Sequence, residues 1–328
     1  MPQPVRLAFL GCGFITRVHS GHLRALGGEI VPSYASRDKN KAAAYCREFS
    51  GAASYGDYFE AIADPAVDAV VIAVPPRFHL DLTLRALQAG KHVLVEKPAF
   101  LRMADYQSAL AARDAAGAVV LVGENDHYKP LAVRLRRVLA GDAVGEMVFA
   151  HFVTIAKRLK RGDDWRNDET MAGGDAFFEE GIHWLHIAGS LGPRIVEIHG
   201  YRPSVSREGP DRRAKSMMVA FRYDNDAVGA LYYSREIPSL FRGLRWSKLF
   251  GRAGIITFES NGLFIFARGR GLPRVIIPGL RDIRGYRAMY RDFIQSIRDR
   301  RQPEMSLERA IEDQRLMDQV YARIGQPA

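Results

Sequence analysis

Five short apolar runs, at residues 5–10, 30–35, 68–74, 92–96 and 119–122, alternate with stretches of helical periodicity, and this alternation limits the fold more than any other feature of the chain. Several of the runs are apolar on successive residues instead of every second one, the pattern of a strand buried on both faces of a parallel sheet. Between them, residues 80–89 set Leu80, Leu84 and Leu87 on one face, and residues 102–116 read as another helix. Repeated strand-then-helix units predict a doubly wound α/β sheet with right-handed crossovers.

After about Gly123 the pattern changes. Runs at 147–155, 194–201, 216–223, 227–233 and 254–259 are strand-like, and several end in turn residues such as Asp224-Asn225-Asp226 or Ser260-Asn261-Gly262. They predict a large, mainly antiparallel sheet, interrupted by a helix at about 175–190 and closed by helices at 287–299 and 307–323. The last helix sets Leu307, Ala310, Ile311, Met317, Val320 and Tyr321 on one stripe. Two domains are expected, at 1–123 and 124–328, which a chain of 328 residues accommodates.

Apolar residues at 47% and charged residues at 26% exclude wholesale disorder and fibrous classes. No run reaches the ~18 apolar residues of a membrane helix, and the N-terminal stretch has no signal pattern, so a cytoplasmic protein with no membrane partner is expected. Cys12 and Cys46 cannot make a disulfide framework or a zinc site and are expected as small buried apolar residues. The 47 Lys and Arg against 37 Asp and Glu leave a net charge of +10. Basic clusters at 157–161, 212–215 and 298–301 are scattered and lack a recognition helix or stacking aromatics, so they read as solvated faces and no nucleic-acid partner is expected.

The first run ends in Gly11-Cys12-Gly13-Phe14-Ile15-Thr16, with a helix expected to about Leu26. Gly11 and Gly13 permit a tight turn and close approach of the backbone to a pyrophosphate, which the helix N-terminus at Phe14 and Ile15 favours. Thr16 stands where a third Gly or Ala is usual, and its bulk predicts looser packing of helix on strand. The second run ends in Ser36-Arg37-Asp38. With Ser36 at the tip and Arg37 beside it, a cofactor 2′-phosphate is favoured, hence NADP over NAD. Asp38 is alternatively the ribose ligand or the cap of a helix at 39–49.

Val93-Leu94-Val95-Glu96-Lys97-Pro98 is similar to the glucose-fructose oxidoreductase, inositol dehydrogenase and rhizopine catabolism protein (Gfo/Idh/MocA) family. The resemblance also covers the glycine turn, residues 64–79, Ala89-Gly90-Lys91-His92 and residues 173–183 (GGDAFFEEGIH). It implies an N-terminal Rossmann domain, an α+β domain for substrate binding and oligomerisation on a large open sheet, and a homodimer or homotetramer. It further implies NAD(P)-dependent hydride transfer between the nicotinamide and a secondary alcohol or ketone of a sugar, polyol or hydroxy-ketone.

Lys97 follows directly on a parallel strand and so projects at the carboxyl edge of the sheet, where ligands of such folds bind. Glu179 and His183 lie four apart on an expected helix and share a face. By resemblance Lys97 is the acid/base, His183 holds the reacting oxygen and Glu179 stands for the family's Asp. His186 replaces a carboxylate usual three residues after the His, and Asp175 replaces a third glycine and can cap the helix it opens. Pro75, His79 and Glu96 are further expected cofactor neighbours. Asn125, His127, Tyr128, Trp165 and Arg166 are weaker substrate-binding candidates. A metal hydrolase built on Glu179, His183 and His186 lacks the paired-histidine motif of such enzymes, so no metal is expected. A non-catalytic dinucleotide sensor of the same fold is the other alternative.

Overall fold

In chain order the first unit contains β1 (Val5–Leu10), α1 (Phe14–Leu23), β2 (Ile30–Ala35), α2 (Lys39–Glu48), β3 (Ser54–Tyr55), α3 (Tyr58–Ala63), β4 (Ala69–Ile72), α4 (His79–Gln88), β5 (His92–Val95), α5 (Met103–Ala116) and β6 (Val120–Val122). The structure is a computed structural model that describes residues 3–157, 165, 168–203, 215–239, 244–322 and 324. Every residue of β4 and of β6 is buried, which is why these strands read as unbroken apolar runs. The strand order is β3-β2-β1-β4-β5-β6 and all pairs are parallel. The chain winds from β1 out to β3 and restarts at β4 on the other side of β1. The order therefore reverses between β1 and β4, and in open α/β sheets ligands bind outside the carboxyl ends of the strands at such a point.

The second unit contains α6 (Pro130–Ala140), β7 (Met147–Ile155), α7 (Glu169–Ala172), α8 (Ile182–Gly189), β8 (Ile195–Tyr201), β9 (Ser216–Tyr223), β10 (Val228–Ser234), β11 (Trp246–Gly251), β12 (Gly254–Glu259), β13 (Ile265–Arg268) and β14 (Arg274–Ile276). Its eight strands lie in the order β14-β13-β12-β11-β7-β10-β9-β8. All pairs are antiparallel except β7 with β10. The helix expected over 175–190 is two elements: a π-helix, Phe177–Gly181, and then α8. Gly181 makes this possible, since a Cβ there would stand 2.3 Å from the Phe177 ring.

Two helices, α9 (Tyr286–Asp299) and α10 (Leu307–Ala322), close the chain. The expected division at 123/124 assigns both to the second domain, and here the structure differs. Residues through Glu124 form one compact unit together with Tyr286–Ile311, and Asn125–Gly285 form the other together with the chain from Glu312. The reason is burial: α9 turns Tyr286, Met289, Tyr290, Phe293 and Ile294 inward and packs against α1. Among the described residues no helix is long and apolar enough to cross a membrane.

Candidate functional site

The turn after β1 divides the labour between its two glycines. Gly11 has φ +112°, and a Cβ there would stand 2.6 Å from the Ala73 carbonyl oxygen just beyond β4, so only glycine fits. Gly13 caps α1 without a side-chain hydrogen bond, and a Cβ there would meet nothing within 4 Å. The first glycine is required by the fold; the second leaves open space before a helix N-terminus. That is the cradle a dinucleotide pyrophosphate requires. Phe14 is exposed and Ile15 half-buried at the same end. Thr16 corrects an expectation: it is fully buried, and its hydroxyl donates to the Gly11 carbonyl at 2.6 Å. The third position is tied to the turn and not loosened by its bulk.

At the tip of β2, Ser36 is buried and Arg37 exposed. Asp38 is the cap of α2, its Oδ1 accepting from the amides of Asn40 and Lys41 at 3.0 and 3.3 Å. Of the two roles open to Asp38, capping is the one its hydrogen bonds carry. Cys12 is buried, and desolvation pushes its thiol up to about 11; Cys46 is only half-buried, against expectation.

Lys97 leaves the end of β5 half-buried, and a buried polar network holds the peptide it stands on. Glu96, an expected cofactor neighbour, is buried. Its Oε2 accepts from the Lys97 amide at 3.2 Å, and its Oε1 lies 2.7 Å from His19 Nε2. The other ring nitrogen of His19 lies 2.6 Å from the Tyr290 hydroxyl. Burial and the nearby Glu96 charge raise the Tyr290 hydroxyl well above its ordinary range, so it stays protonated as a donor. His79 secures the other side of the loop. It is fully enclosed, with ring nitrogens 2.8 Å from the Val74 carbonyl and 3.0 Å from that of Ala99. Burial pushes its imidazole below the usual value. Pro75, half-buried, opens the turn that leads into α4. Replacing His19 by Ala removes the ring between the Glu96 carboxylate and Tyr290 and is expected to cost about 2–4 kcal/mol. A denaturant midpoint measured on the variant checks this; an unchanged midpoint contradicts the bracing role.

In the second unit Asp175 caps the π-helix as expected, accepting at Oδ1 from the amides of Phe177 and Phe178 at 2.9 and 3.1 Å. It also pairs with Arg202 at 2.9 Å and accepts from the Tyr321 hydroxyl of α10. Glu179 is buried and faces Arg235, just past β10, at 3.9 Å. His183 is the one half-open position among the buried residues of Ile182–Ala188. An oxygen of Asp126 lies within 4.8 Å of one of its ring nitrogens. His186 points elsewhere: its Nε2 lies 2.9 Å from His127 Nδ1 and its Nδ1 lies 2.8 Å from Asp313 Oδ2. With both nitrogens so engaged it has no lone pair for a metal shared with Glu179 and His183. Asn125 and Tyr128 are buried as well, Asn125 donating to the Arg284 carbonyl at 2.7 Å and Tyr128 setting its ring edge-on to His127. Trp165 is half-buried, and Arg166 lies outside the described residues.

His19, Tyr290 and Asp313 escaped the sequence reading. For Asp313 a signal existed, because it falls on the apolar stripe of α10 between Ala310 and Met317. For His19 and Tyr290, 271 residues apart, there was none.

A switch-point glycine turn and a lysine at the carboxyl edge of one parallel sheet, joined to a large open sheet, define a dinucleotide-binding α/β protein. Residues 5–124 match the model of the oxidoreductase family with an NAD-binding Rossmann fold, and residues 132–257 match the GFO/IDH/MocA C-terminal domain. Together the two matches cover well over half of the sequence, and the chain belongs to the Gfo/Idh/MocA oxidoreductase family. The 1,5-anhydro-D-fructose reductase of Ensifer adhaerens is 33% identical over 168 residues, 50% of this chain and 49% of the relative. The scyllo-inositol 2-dehydrogenase (NAD(+)) of Bacillus subtilis (strain 168) is 24% identical over 245 residues, 73% of this chain and 69% of the relative. The chain spans about half the length of the first curated relatives it matches. Among solved structures, an oxidoreductase domain protein from Kribbella flavida shares the fold with a TM-score of 0.87 at 19% identity, over 98% of this chain and 97% of that one.

Proposed function

We propose that this chain is an NAD(P)-dependent oxidoreductase that moves a hydride between the nicotinamide and a secondary alcohol or ketone of a sugar, polyol or related small molecule. The observation that carries the reading is the placement of the glycine turn and Lys97 at the same edge of the parallel sheet, at the ends of β1 and β5 with β4 between them. The sugar reductase and inositol dehydrogenase among its relatives support the substrate class.

Gly11, Gly13, Phe14 and Ile15 take the pyrophosphate, and the bound cofactor supplies the hydride acceptor or donor. In the oxidising direction Lys97 Nζ accepts the proton of the reacting hydroxyl. In the second unit His183, a half-open residue of α8, is assigned a hydrogen bond to substrate. Glu179, which faces Arg235 at 3.9 Å, orients the polar groups of the second unit near it. Arg37 takes a 2′-phosphate, so NADP is the preferred cofactor. Arg37→Ala is expected to weaken NADPH binding about tenfold or more and to leave NADH binding within about twofold. Fluorescence titration with both nucleotides checks this, and equal losses for the two contradict it.

The outer face of the second sheet supports a homodimer or homotetramer. Phe149, Val228, Tyr232, Trp246 and Phe266 are exposed there, on strands whose alternate residues Phe152, Leu231, Leu249 and Ala267 are buried. An apolar face of this kind marks an interaction surface.

The testing experiment is a screen of cofactor reduction across sugars, polyols, uronic acids and hydroxy ketones, with NAD and NADP in parallel. Turnover on a member of the panel is expected. Cofactor binding with no turnover anywhere assigns the chain to a non-catalytic sensor instead.

A further inference from the structure

The outer face of the second sheet carries a titratable group that its apolar residues do not account for. His151 is the middle residue of β7, and β7 has four strands on one side and three on the other. It therefore stands near the centre of the face, half-buried, in one row with exposed Phe149 and half-buried Val153. Its register partners are Ala230 on β10 and Lys248 on β11. The Tyr232 ring of β10 lies edge-on to the imidazole at 5.4 Å. These are the groups that face His151 from its own strand and from both neighbouring strands, and none of them is an acid.

Charge is arranged over the face as in a contact between proteins. Besides His151 and Lys248, the outward residues of β11, β7 and β10 carry no ionisable group other than the Tyr232 phenol. Carboxylates lie toward the rim. Glu197 on β8 is paired with Arg222 and His199, and Glu259 at the end of β12 is fully enclosed and accepts from the amides of Asn261 and Leu263. An apolar core inside a polar rim is the anatomy of an interface, and a two-fold contact sets such a face against itself. The occupant it fits is a second copy of this chain.

We infer that the outer face of the second sheet binds a second copy of this chain only while His151 is neutral, so that acid separates the copies, an inference that rests on the homo-oligomer proposed above. In a contact of like face on like face, both copies of His151 and of Lys248 leave water together. Neutral imidazoles join the apolar core of the contact. Protonated, they add two cations to two ammonium groups with no carboxylate opposite, and the desolvation of that charge opposes association.

The single chain already shows the trend. Burial, and then the Lys248 charge, hold the His151 imidazole below its usual value. Closure of the contact adds burial and lowers it further. The associated form therefore holds the proton less tightly than the separated one. Association is full at neutral pH and weakens as pH falls through the imidazole range of the separated copy, which lies below about 6.5.

The test is sedimentation velocity of the full chain over a concentration series at about pH 7.5 and about pH 5. The wild type is expected as an oligomer at the higher pH, with a dissociation constant about tenfold or more larger at the lower one. His151→Gln takes up no proton, and its constant is expected to change less than about twofold between the two. Phe149→Lys, on the same row of β7, is expected to be monomeric at both. A wild-type constant that does not respond to pH, or an equal loss in His151→Gln, overturns the role of His151 and leaves the interface standing. A monomeric wild type at the higher pH, the result expected if a different protein covers the face, overturns the interface and the inference together. An oligomer unaffected by Phe149→Lys does the same, because its contact then lies elsewhere.

Discussion

Replacing Lys97 by Ala is expected to lower kcat by about 10²- to 10⁴-fold while leaving cofactor affinity within about twofold. The separation of the two effects follows from how the residue is held. Its backbone amide makes the bond to Glu96 Oε2, and this bond survives truncation of the side chain together with the Glu96–His19–Tyr290 contacts. The His79 contacts to the loop likewise reach the carbonyls of Pro98 and Ala99 and not the lysine side chain. The variant should fold with a denaturant midpoint close to that of the parent, bind nucleotide, and fail in the proton step. Steady-state kinetics and a nucleotide titration on one preparation measure both quantities. Normal turnover by the variant contradicts the acid/base role, and a joint loss of turnover and binding shows that the side chain holds the cofactor instead.

The second large effect separates the two glycines of the turn. Gly11→Ala is expected to destabilise the protein by about 2–4 kcal/mol, because a Cβ would meet the Ala73 carbonyl at 2.6 Å and the backbone at φ +112° is strained for any side chain. Gly13→Ala meets nothing within 4 Å and has an extended backbone at φ −104°, so stability is expected to stay within about 0.5 kcal/mol. The space it fills is the space a pyrophosphate needs, and nucleotide affinity is expected to drop about 100-fold. Denaturant unfolding and nucleotide titration of both variants check the contrast. Equal stability losses, or full nucleotide affinity in Gly13→Ala, contradict this account of the turn.

The parts of the fold legible in the sequence are those governed by local pattern. The runs at 5–10, 30–35, 147–155, 216–223 and 254–259 match β1, β2, β7, β9 and β12 residue for residue, because burial on one or both faces leaves a period in the chain. β11 escaped because its inward row carries Ser247, a fully buried hydroxyl bonded to the Val153 amide and to Ser260, where an apolar residue would have completed the alternation. β14 exposes Arg274 and Val275 and leaves little pattern. The π-helix is not visible to a 3.6-residue period, so the Glu179–His183 spacing was read on regular α-helix geometry.

Of the candidate site, the glycine turn and Lys97 were legible from their place after predicted strands, whereas the groups that hold them were not. His19 and Glu96 are 77 residues apart and meet only through the sheet. The net charge of +10 acquires a partial account in the same way. Arg298 pairs with Glu29 and Arg301 with Asp292 within the cluster at 298–301, while the clusters at 157–161 and 212–215 lie mostly outside the described residues.

The central claim is that this chain catalyses hydride transfer to a nicotinamide, and an isotope experiment tests it most directly. A substrate found in the screen, deuterated at its carbinol carbon, is turned over with oxidised cofactor, and the reduced nucleotide is recovered. The account predicts deuterium at C4 of the nicotinamide, on one face of the ring, in amounts that match the ketone formed. Ketone formed without deuterium in the cofactor, or deuterium lost to water, contradicts it.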